Sequence, residues 1–288
     1  KENRVSEAFQ TPWFLMTAVT ALGLIVGSFL NVVIYRLPKM MEQGWRRECC
    51  EFLDQDAPND PPLSLSVPNS SCRDCGTAIK PWHNIPVISF LLLGGQCAAC
   101  GTGISWRYPT VELATGLLSL AAAMTFGLSW ELAGALAICW CLVALTGIDI
   151  DTQLLPDSIT LPLLWAGIAF NVFGVFTDLQ SAVVGAMLGY VVLWSVFWLF
   201  KLVTGKDGMG YGDFKLLAAL GAWFGWQSLP LIIILSSFVG AAIGIILVVA
   251  KRQGRDIPMP FGPYLAGAGL LWLFFGDWLN AYYLTTVG

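Results

Sequence analysis

The stretch Lys206-Asp-Gly-Met-Gly-Tyr-Gly-Asp-Phe-Lys215 contains three alternating glycines and leads into an apolar run that ends at Trp226. A helix over residues 213–226 has 14 residues, which gives a length of about 21 Å at a rise of about 1.5 Å per residue. The hydrocarbon core of a membrane is about 30 Å thick. We therefore expect this helix to begin inside the protein, at the floor of a water-filled cavity, since non-helical backbone at membrane depth requires one.

Two carboxylates stand where a polar segment meets an apolar run. Asp213 follows the three glycines, and Asp149 is the first of three aspartates in the stretch 146–157, which ends another apolar run. An ionisable group at a membrane segment is costly and indicates function, so we take Asp149 and Asp213 as the candidate pair. Asp151 and Asp157 follow Asp149, and Asp157 near a helix N-terminus has a structural role against the helix dipole.

The composition is that of a polytopic membrane protein. Hydrophobic residues make up 56% of the chain and charged residues 12%, whereas soluble domains carry about 25% charged residues. One histidine and a net charge of -4 give no basic surface, so no nucleic-acid partner is expected. The apolar runs predict an all-α fold with about eight transmembrane helices. The predicted spans are 13–35, 111–127, 131–148, 158–176, 180–201, 213–226, 229–250 and 260–276.

The basic residues predict the orientation of these spans. Each connection is numbered by the predicted span that precedes it. Of the 15 Lys and Arg residues, all but Lys1 and Arg4 lie in the first, fifth or seventh connection or at the span ends beside these connections. Connections rich in Lys and Arg face the cytoplasm. Asp149 and Asp213 are therefore expected at cytoplasmic span ends, and eight spans would leave both termini outside.

The long polar segment 36–107 contains two Cys-x-x-Cys pairs. Paired knuckles of this kind are typical of a tetrahedral zinc site, and bound metal supplies folding energy to a segment with few large apolar residues. Two disulfides are the alternative, which a cytoplasmic location disfavours because thiols there stay reduced. His83 could replace one ligand, although four cysteines suffice. The predicted zinc ligands are Cys72, Cys75, Cys97 and Cys100.

Several positions in the apolar runs have both a structural and a functional interpretation. Asn31, in the first span, forms either an interhelical hydrogen bond or a substrate contact. Glu112, at the start of the second span, either pairs with Arg107 or takes part in chemistry. The apolar segment 81–95 packs either on the membrane surface or on the zinc module. Glycines within the spans, such as Gly185, are helix-packing positions.

The motifs restrict the chemistry that the chain can perform. It has no Gly-x-Ser-x-Gly and no His-Glu-x-x-His motif. The residues that a serine hydrolase or a zinc protease would need for catalysis are therefore missing. In aspartyl proteases, one ionised carboxylate activates water while a second, protonated one donates to the scissile carbonyl. Asp149 and Asp213 are the residues predicted to perform this chemistry.

The chain resembles the type IV prepilin peptidases, which are bifunctional leader peptidases and N-methyltransferases of type IV pilus and type II secretion systems. The resemblance covers nearly the whole chain, and its Gly-x-Gly-Asp piece is shared with other intramembrane aspartyl proteases such as presenilin. The matching motifs are Gly27-Ser-Phe-Leu-Asn31 through Arg36-Leu-Pro38, both cysteine pairs, Asn84-Ile-Pro86, Arg107-Tyr-Pro-x-Val-Glu112, Asp149 with Pro156-Asp157, Gly210-Tyr-Gly-Asp213-Phe-Lys215 and Pro260-Phe-Gly-Pro-Tyr264.

The resemblance implies two activities at the bacterial inner membrane. The first removes a short basic leader from prepilins and pseudopilins, after a glycine and on the cytoplasmic face, with Asp149 and Asp213 as catalytic pair. The second methylates the new N-terminal residue with S-adenosylmethionine, and in the family it is linked to the large cytoplasmic loop. The expected organisation is a tail and first helix over 1–35, a zinc module over 36–107 and a protease domain over 108–288. The residues themselves reveal no S-adenosylmethionine pocket.

A protease needs an extended substrate, since a helical peptide bond is shielded by its own hydrogen bonds. Gly208, Gly210 and Gly212 lack the side chains that would keep such a peptide from their backbone. We expect these three glycines to form one wall of the cleft, whereas Gly185→Ala at a packing position should have little effect.

Two other function classes compete with the enzyme. A transporter or channel could use membrane aspartates to bind cations or protons. Against this alternative, both aspartates lie at one membrane edge and the chain has no evident internal repeat. The third possibility is a structural, zinc-stapled assembly protein of a secretion complex. Incubation with a prepilin separates the three, because only the enzyme shortens it.

Overall fold

The computed structural model describes residues 12–56, 63–206, 208–251 and 260–287, and these residues form helices and loops without a β-sheet. Short 3-10 turns occur at Pro81–Asn84 and Trp226–Ser228. The α-helices are α1 Pro12–Phe52, α2 Ile88–Leu92, α3 Arg107–Phe126, α4 Trp130–Thr152, α5 Asp157–Val172, α6 Leu179–Thr204, α7 Tyr211–Phe224, α8 Leu229–Lys251 and α9 Gly262–Val287. The chain divides into two compact units, Lys1–Leu128 and Ser129–Gly288.

The all-α prediction is confirmed for the described residues, and a helix lies at each of the eight predicted segments. Five stretches are long and apolar enough to cross a membrane, which makes the chain a candidate multi-pass membrane protein. They are α1, α3, α4, α6 and Trp226–Ile246. Helix α5 and the part of α9 from Gly262 to Gly276 are shorter apolar helices.

Helix α1 continues well beyond the predicted end of the first span at residue 35. It reaches Phe52 and contains Pro38 in its interior. Proline usually interrupts a helix because it lacks an N–H donor, but the residues that follow are good helix formers. An ion pair of 2.9 Å between Glu42 and Arg46, one turn apart, also supports this extension.

In the first unit, two glycines of α1 provide the contact surface for α3. A Cβ atom at Gly27 would lie 2.8 Å from Cα of Glu112, and one at Gly23 would collide with Ser119. Small residues at this spacing allow two membrane helices to approach closely. Arg36 of α1 holds part of the long segment that connects α1 to α3. Its guanidinium donates hydrogen bonds to the carbonyls of Ser64 and Pro68 over 2.9 and 2.6 Å.

In the second unit, the short helix α7 is enclosed by its neighbours. Its residues from Leu216 to Phe224 are all buried, as expected for a helix that begins inside the protein. Gly185 of α6 and Gly221 of α7 bring their backbones into direct contact, and a Cβ at Gly189 would lie 2.6 Å from the Leu217 carbonyl oxygen. The packing role of Gly185 is confirmed. The expectation that Gly185→Ala has little effect is wrong, because backbone atoms fill that space.

Asn171 of α5 completes the C-terminal end of α7. Its amide donates to the carbonyls of Ala222 and Trp223, over 2.9 Å in both cases. The last carbonyls of a helix have no partner within the helix, so a buried helix end requires such a donor. The indole N–H of Trp223 donates to the Leu163 carbonyl over 2.8 Å. These bonds fix α7 and, at its other end, Asp213.

Candidate active site

Asp149 lies in the last turn of α4. Its side chain is only 4% exposed, although the next residues, Ile150 and Asp151, face outward. The helix ends at Gln153, whose left-handed backbone lets its amide donate to the Asp149 carbonyl over 2.9 Å. Asp149 is therefore a buried carboxylate at a helix end, where the chain leaves its apolar surroundings.

Asp213 lies in the first turn of α7 and is 5% exposed. Its Oδ2 accepts a hydrogen bond of 3.2 Å from the Gly210 amide, which would otherwise remain an unpaired donor at the helix start. Gly212, the residue before Asp213, and Gly262, which lies against Asp149, both lie against Leu155. The structure thus brings together the two aspartates that sequence analysis selected.

A third helix end reaches the same site. The amide of Gly262, the first residue of α9, donates to Oδ2 of Asp149 over 2.9 Å. Sequence analysis placed the proline-rich segment 257–264 near the predicted cavity; residues 257–259 of it lie outside the described part. The individual role of Gly262 was not predicted, although a glycine between Pro260 and Pro263 at a helix start is an available signal.

Leu155 lies between the two aspartate-bearing segments and was also missed. A Cβ atom at Gly212 would lie 2.6 Å from Cβ of Leu155, and one at Gly262 would lie 3.1 Å from its Cδ2. An apolar residue in a connecting segment has no distinctive sequence pattern. Its position shows that Gly212 and Gly262 both need their lack of a side chain at this point.

The three predicted wall glycines differ in their surroundings. A Cβ at Gly208 would lie 2.8 Å from the Phe200 ring, and one at Gly212 would meet Leu155. A Cβ at Gly210 would meet nothing closer than 3.8 Å, where Asp213 Oδ2 lies. Only Gly210 therefore has free space on the side where a side chain would project.

The other two aspartates of the cluster have different environments. Asp151 is exposed on α4. Asp157, in the first turn of α5, forms a two-pronged ion pair with Lys215 Nζ over 2.6 and 2.7 Å. This contact ties the start of α5 to the start of α7, which is a structural role for Asp157.

The four predicted zinc ligands form a compact cluster in the first unit. Their Sγ atoms all lie within 4.8 Å of one another, and Cys72 and Cys100 are separated by 3.8 Å. A tetrahedral site with zinc–sulfur bonds of about 2.3 Å requires sulfur separations of about 3.8 Å. The eight cysteines are free thiols. The sulfur cluster therefore fits a metal ion and does not form the alternative disulfides.

The two knuckles have the same local structure, Cys-x-x-Cys-Gly-Thr. In the second knuckle, the Gly101 amide donates to the Cys97 carbonyl over 2.9 Å, and Gly101 has a φ of +74° that favours glycine. Hydrogen bonds from the Thr102 hydroxyl and amide lower the pKa of Cys100 to about 6. Thr77 similarly lowers the pKa of Cys75. Metal binding requires thiolates, and the lowered pKa values of Cys75 and Cys100 favour that form.

Other candidates lie outside the sulfur cluster. His83 belongs to a 3-10 turn, and the metal-binding group found among the described residues contains only the four cysteines. The remaining cysteines are Cys49, Cys50, Cys139 and Cys141.

The apolar segment 81–95 is packed at one residue and exposed at another. The ring of Phe90 lies 4.9 Å from that of Trp106, while Leu92 is 82% exposed.

Asn31 and Glu112 form a buried polar group on the facing sides of α1 and α3. Asn31 Nδ2 donates to the Tyr108 carbonyl over 3.1 Å, which confirms the interhelical hydrogen bond. Glu112 Oε2 accepts from the Val87 amide over 2.8 Å, so its partner is the loop between the knuckles rather than Arg107.

Two family models match the chain. The bacterial peptidase A24 N-terminal domain matches residues 21–126, and the type IV leader peptidase family matches residues 136–245. A relative from Pseudomonas aeruginosa is 53% identical over 278 residues, which are 96% of each chain. One from Aeromonas hydrophila is 53% identical over 95% of each chain, and one from Burkholderia pseudomallei is 48% identical over 88% of this chain and 84% of the relative.

All three relatives carry the name prepilin leader peptidase/N-methyltransferase. No solved structure matches the chain. The match to the first two relatives spans at least 95% of each chain. The chain belongs to the type IV leader peptidase family.

Proposed function

We propose that this protein removes the basic leader from prepilins and pseudopilins at the cytoplasmic face of the bacterial inner membrane and methylates the new N-terminus. It acts in type IV pilus biogenesis and type II secretion. The observation that best supports the peptidase activity is the pair of buried carboxylates, Asp149 and Asp213. Each of them accepts a hydrogen bond from a glycine amide. Relatives of 53% identity named for both activities support the combination.

The two aspartates share one acid–base step. One carboxylate takes a proton from a water molecule, which attacks the scissile carbonyl, and the other donates a proton to the carbonyl oxygen. The amides of Gly262 and Gly210 each occupy Oδ2 of their aspartate. Oδ1 of each carboxylate remains for water and substrate. Collapse of the intermediate breaks the peptide C–N bond, and the leaving nitrogen takes up a proton.

The substrate reaches this pair as an extended segment. The backbone of Gly208, Gly210 and Gly212 forms one wall of the cleft and pairs with the main chain of the substrate. Gly210 provides the best support, because its Cβ direction is open. The basic side of the protein faces the cytoplasm, so the cut lies where the polar leader meets the apolar pilin helix.

The cysteine cluster holds a structural zinc ion in the module over 36–107. Cys72, Cys75, Cys97 and Cys100 supply four sulfur ligands at tetrahedral spacing. The ion joins two knuckles that are 22 residues apart, counted from Cys75 to Cys97, and stabilises a loop-rich segment. The protease domain over 108–288 contains neither knuckle.

S-adenosylmethionine supplies the methyl group of the second activity. The described residues that fit a methyl-transfer site best are the buried Asn31 and Glu112, because Asn31 Oδ1 has no hydrogen-bond partner. Both lie in the segment matched by the N-terminal family model.

One experiment separates the function classes. The purified protein in detergent is incubated with a prepilin, with and without S-adenosylmethionine, and the products are identified by mass spectrometry. The expected products are a pilin shortened by its leader and, with the methyl donor, the same product heavier by one methylene group. An unchanged prepilin in both reactions would contradict the proposal.

A further inference from the structure

One turn of α1 faces one turn of α3 in the first unit. Asn31 Nδ2 donates to the Tyr108 carbonyl over 3.1 Å and to the Gly27 carbonyl over 3.2 Å. A Cβ at Gly27 would lie 2.8 Å from Cα of Glu112. The turn 27–31 therefore packs directly against the turn 108–112, which places Asn31 and Glu112 on the facing sides of the two helices.

Glu112 is a buried carboxylate without a cation. It is 7% exposed, and its Oε2 accepts a hydrogen bond of 2.8 Å from a neutral donor, the Val87 amide. No basic side chain in the described part of the protein forms an ion pair with it. A buried charge without an opposite charge is strongly unfavourable, and within membrane segments such groups mark functional sites.

Asn31 supplies an independent sign of a missing partner. Its Oδ1 is buried and has no hydrogen-bond partner, and the residue is 4% exposed. Exchanging the oxygen and nitrogen of the amide would place an acceptor against two carbonyl acceptors, so the assignment is fixed by its neighbours. The missing partner must therefore be a hydrogen-bond donor.

The loop that covers Glu112 is strained. Val87 has a φ of +60°, which is unfavourable for a β-branched residue, and its amide is the one that reaches the carboxylate. The loop is held by the Ser89 hydroxyl, which donates to the Trp82 carbonyl over 2.7 Å and accepts from the Ile85 amide over 3.2 Å. Backbone strain of this kind is concentrated at binding and catalytic sites.

We propose that Asn31 and Glu112 bind the primary ammonium group of the substrate N-terminus and that Glu112 takes up its proton before methyl transfer. An ammonium group has three N–H donors and one positive charge. It satisfies the free Asn31 oxygen and neutralises Glu112 at the same time. The inference rests on the proposed methyltransferase function and assigns the amine-binding residues that this function needs.

The chemical step is balanced with the sulfonium as methyl donor. A proton moves from the ammonium nitrogen to the Glu112 carboxylate and leaves a neutral amine with a free electron pair. This pair forms the new bond to the methyl carbon, while the carbon–sulfur bond breaks and its electrons remain on sulfur. The products are a methylated ammonium group and a thioether, and the proton on Glu112 returns to water.

Binding can be measured without the methyl donor. The full-length protein in detergent is titrated with an apolar peptide that begins with a free-amino phenylalanine, and with the same peptide N-acetylated. We expect wild type to bind the free amine at least about tenfold more tightly. The preference should disappear in Glu112→Gln and fall in Asn31→Leu. The matched control is Thr110→Val on the exposed side of α3, which should retain it.

A pH profile of methyl transfer at saturating donor distinguishes a proton acceptor from a structural residue. The α-amino group has a pKa of about 7.7–8.0, so Glu112→Gln should regain methyl transfer as the pH rises through that range. Leader cleavage by Glu112→Gln at the wild-type rate would show that the variant is folded. Equal binding of both peptides by wild type, or a preference that persists in Glu112→Gln, would overturn the proposal. A preference for the amine in a wild type that never methylates would contradict only the proposed methyltransferase function.

Discussion

The backbone amide of Gly262 donates a hydrogen bond of 2.9 Å to Oδ2 of Asp149. A Cβ atom at Gly262 would lie 2.7 Å from that same oxygen. Glycine is therefore the residue that lets the start of α9 approach the carboxylate this closely. The contact joins two residues that are 113 positions apart in the chain, and it orients one member of the proposed catalytic pair.

Gly262→Ala should lower kcat of leader cleavage by at least about tenfold, because a displacement of about 1 Å in a catalytic group has large effects on rate. The matched control is Gly267→Ala on the same helix, where a Cβ would meet nothing within 4 Å. Cleavage kinetics and thermal unfolding in detergent check both variants. Unchanged kcat in Gly262→Ala would show that this approach does not orient Asp149.

The glycine wall is tested most cleanly at Gly210. The φ and ψ of this residue, -82° and 153°, are accessible to alanine, and its Cβ direction is open. Gly210→Ala should therefore leave the unfolding temperature unchanged and raise KM of cleavage, since the methyl group would obstruct the substrate backbone. Gly44→Ala, at another open position, is the control. A normal KM in Gly210→Ala would contradict the proposal that the backbone of Gly210 forms part of the substrate cleft.

Gly212→Val should abolish cleavage or raise KM, and the structure adds a second cause for the loss. A side chain at Gly212 would collide with Leu155. Adding Leu155→Gly removes the Cβ atom that causes this collision, so we expect the double variant to recover much of its thermal stability but not its cleavage. Full recovery of cleavage would mean that Gly212 serves only to pack against Leu155.

Gly185→Ala should destabilise the protein by about 1–3 kcal/mol, as overpacking of a dense contact does. The new methyl group would meet the Gly221 backbone, which cannot rotate away as a side chain would. Gly44→Ala, in an open part of α1, should be neutral or slightly stabilising because alanine favours the helix. Thermal unfolding in one detergent compares the two variants. An unchanged Gly185→Ala would mean that α6 and α7 separate at little cost.

Metal analysis of the purified protein should give one zinc ion per chain. Replacing Cys72 and Cys75 together with serine should release it, because hydroxyl groups are poor substitutes for thiolate ligands. Cys49→Ser, outside the sulfur cluster, should retain the metal. Leader cleavage should survive in part, since the aspartates belong to the other compact unit. Protein without zinc, and with all four thiols reactive in its native state, would exclude the site.

Much of the fold could be predicted because membrane helices leave a simple signal. A run of about 20 apolar residues specifies a spanning helix. A helix lies at every predicted segment, and five stretches of the described residues are long and apolar enough to cross a membrane. The exact ends depend on weaker effects. Helix α1 continues through Pro38 to Phe52, and neither the helix propensity of the residues after the proline nor the exposed ion pair of Glu42 and Arg46 gives a distinctive sequence signal for this extension.

The candidate site was predictable where chemistry restricts the residue type. Carboxylates at membrane depth and paired cysteines are rare enough to be recognised singly. Leu155 and Gly262 were not recognised because their roles depend on contacts between segments distant in sequence. The same limit explains the wrong prediction for Gly185→Ala. The sequence identified Gly185 as a helix-packing residue but did not reveal that the atoms packed against it belong to the backbone of α7.

The most direct test of the account replaces each aspartate with the nearly isosteric but uncharged asparagine. Asp149→Asn and Asp213→Asn should each lower leader cleavage by at least about 100-fold, since each variant loses one of the two proton transfers that the reaction requires. Both variants should unfold at the wild-type temperature, and Asp151→Asn, at an exposed position of the same cluster, should lose far less cleavage activity. Near-normal cleavage by a folded Asp149→Asn or Asp213→Asn variant would contradict the assignment of that residue to the catalytic pair.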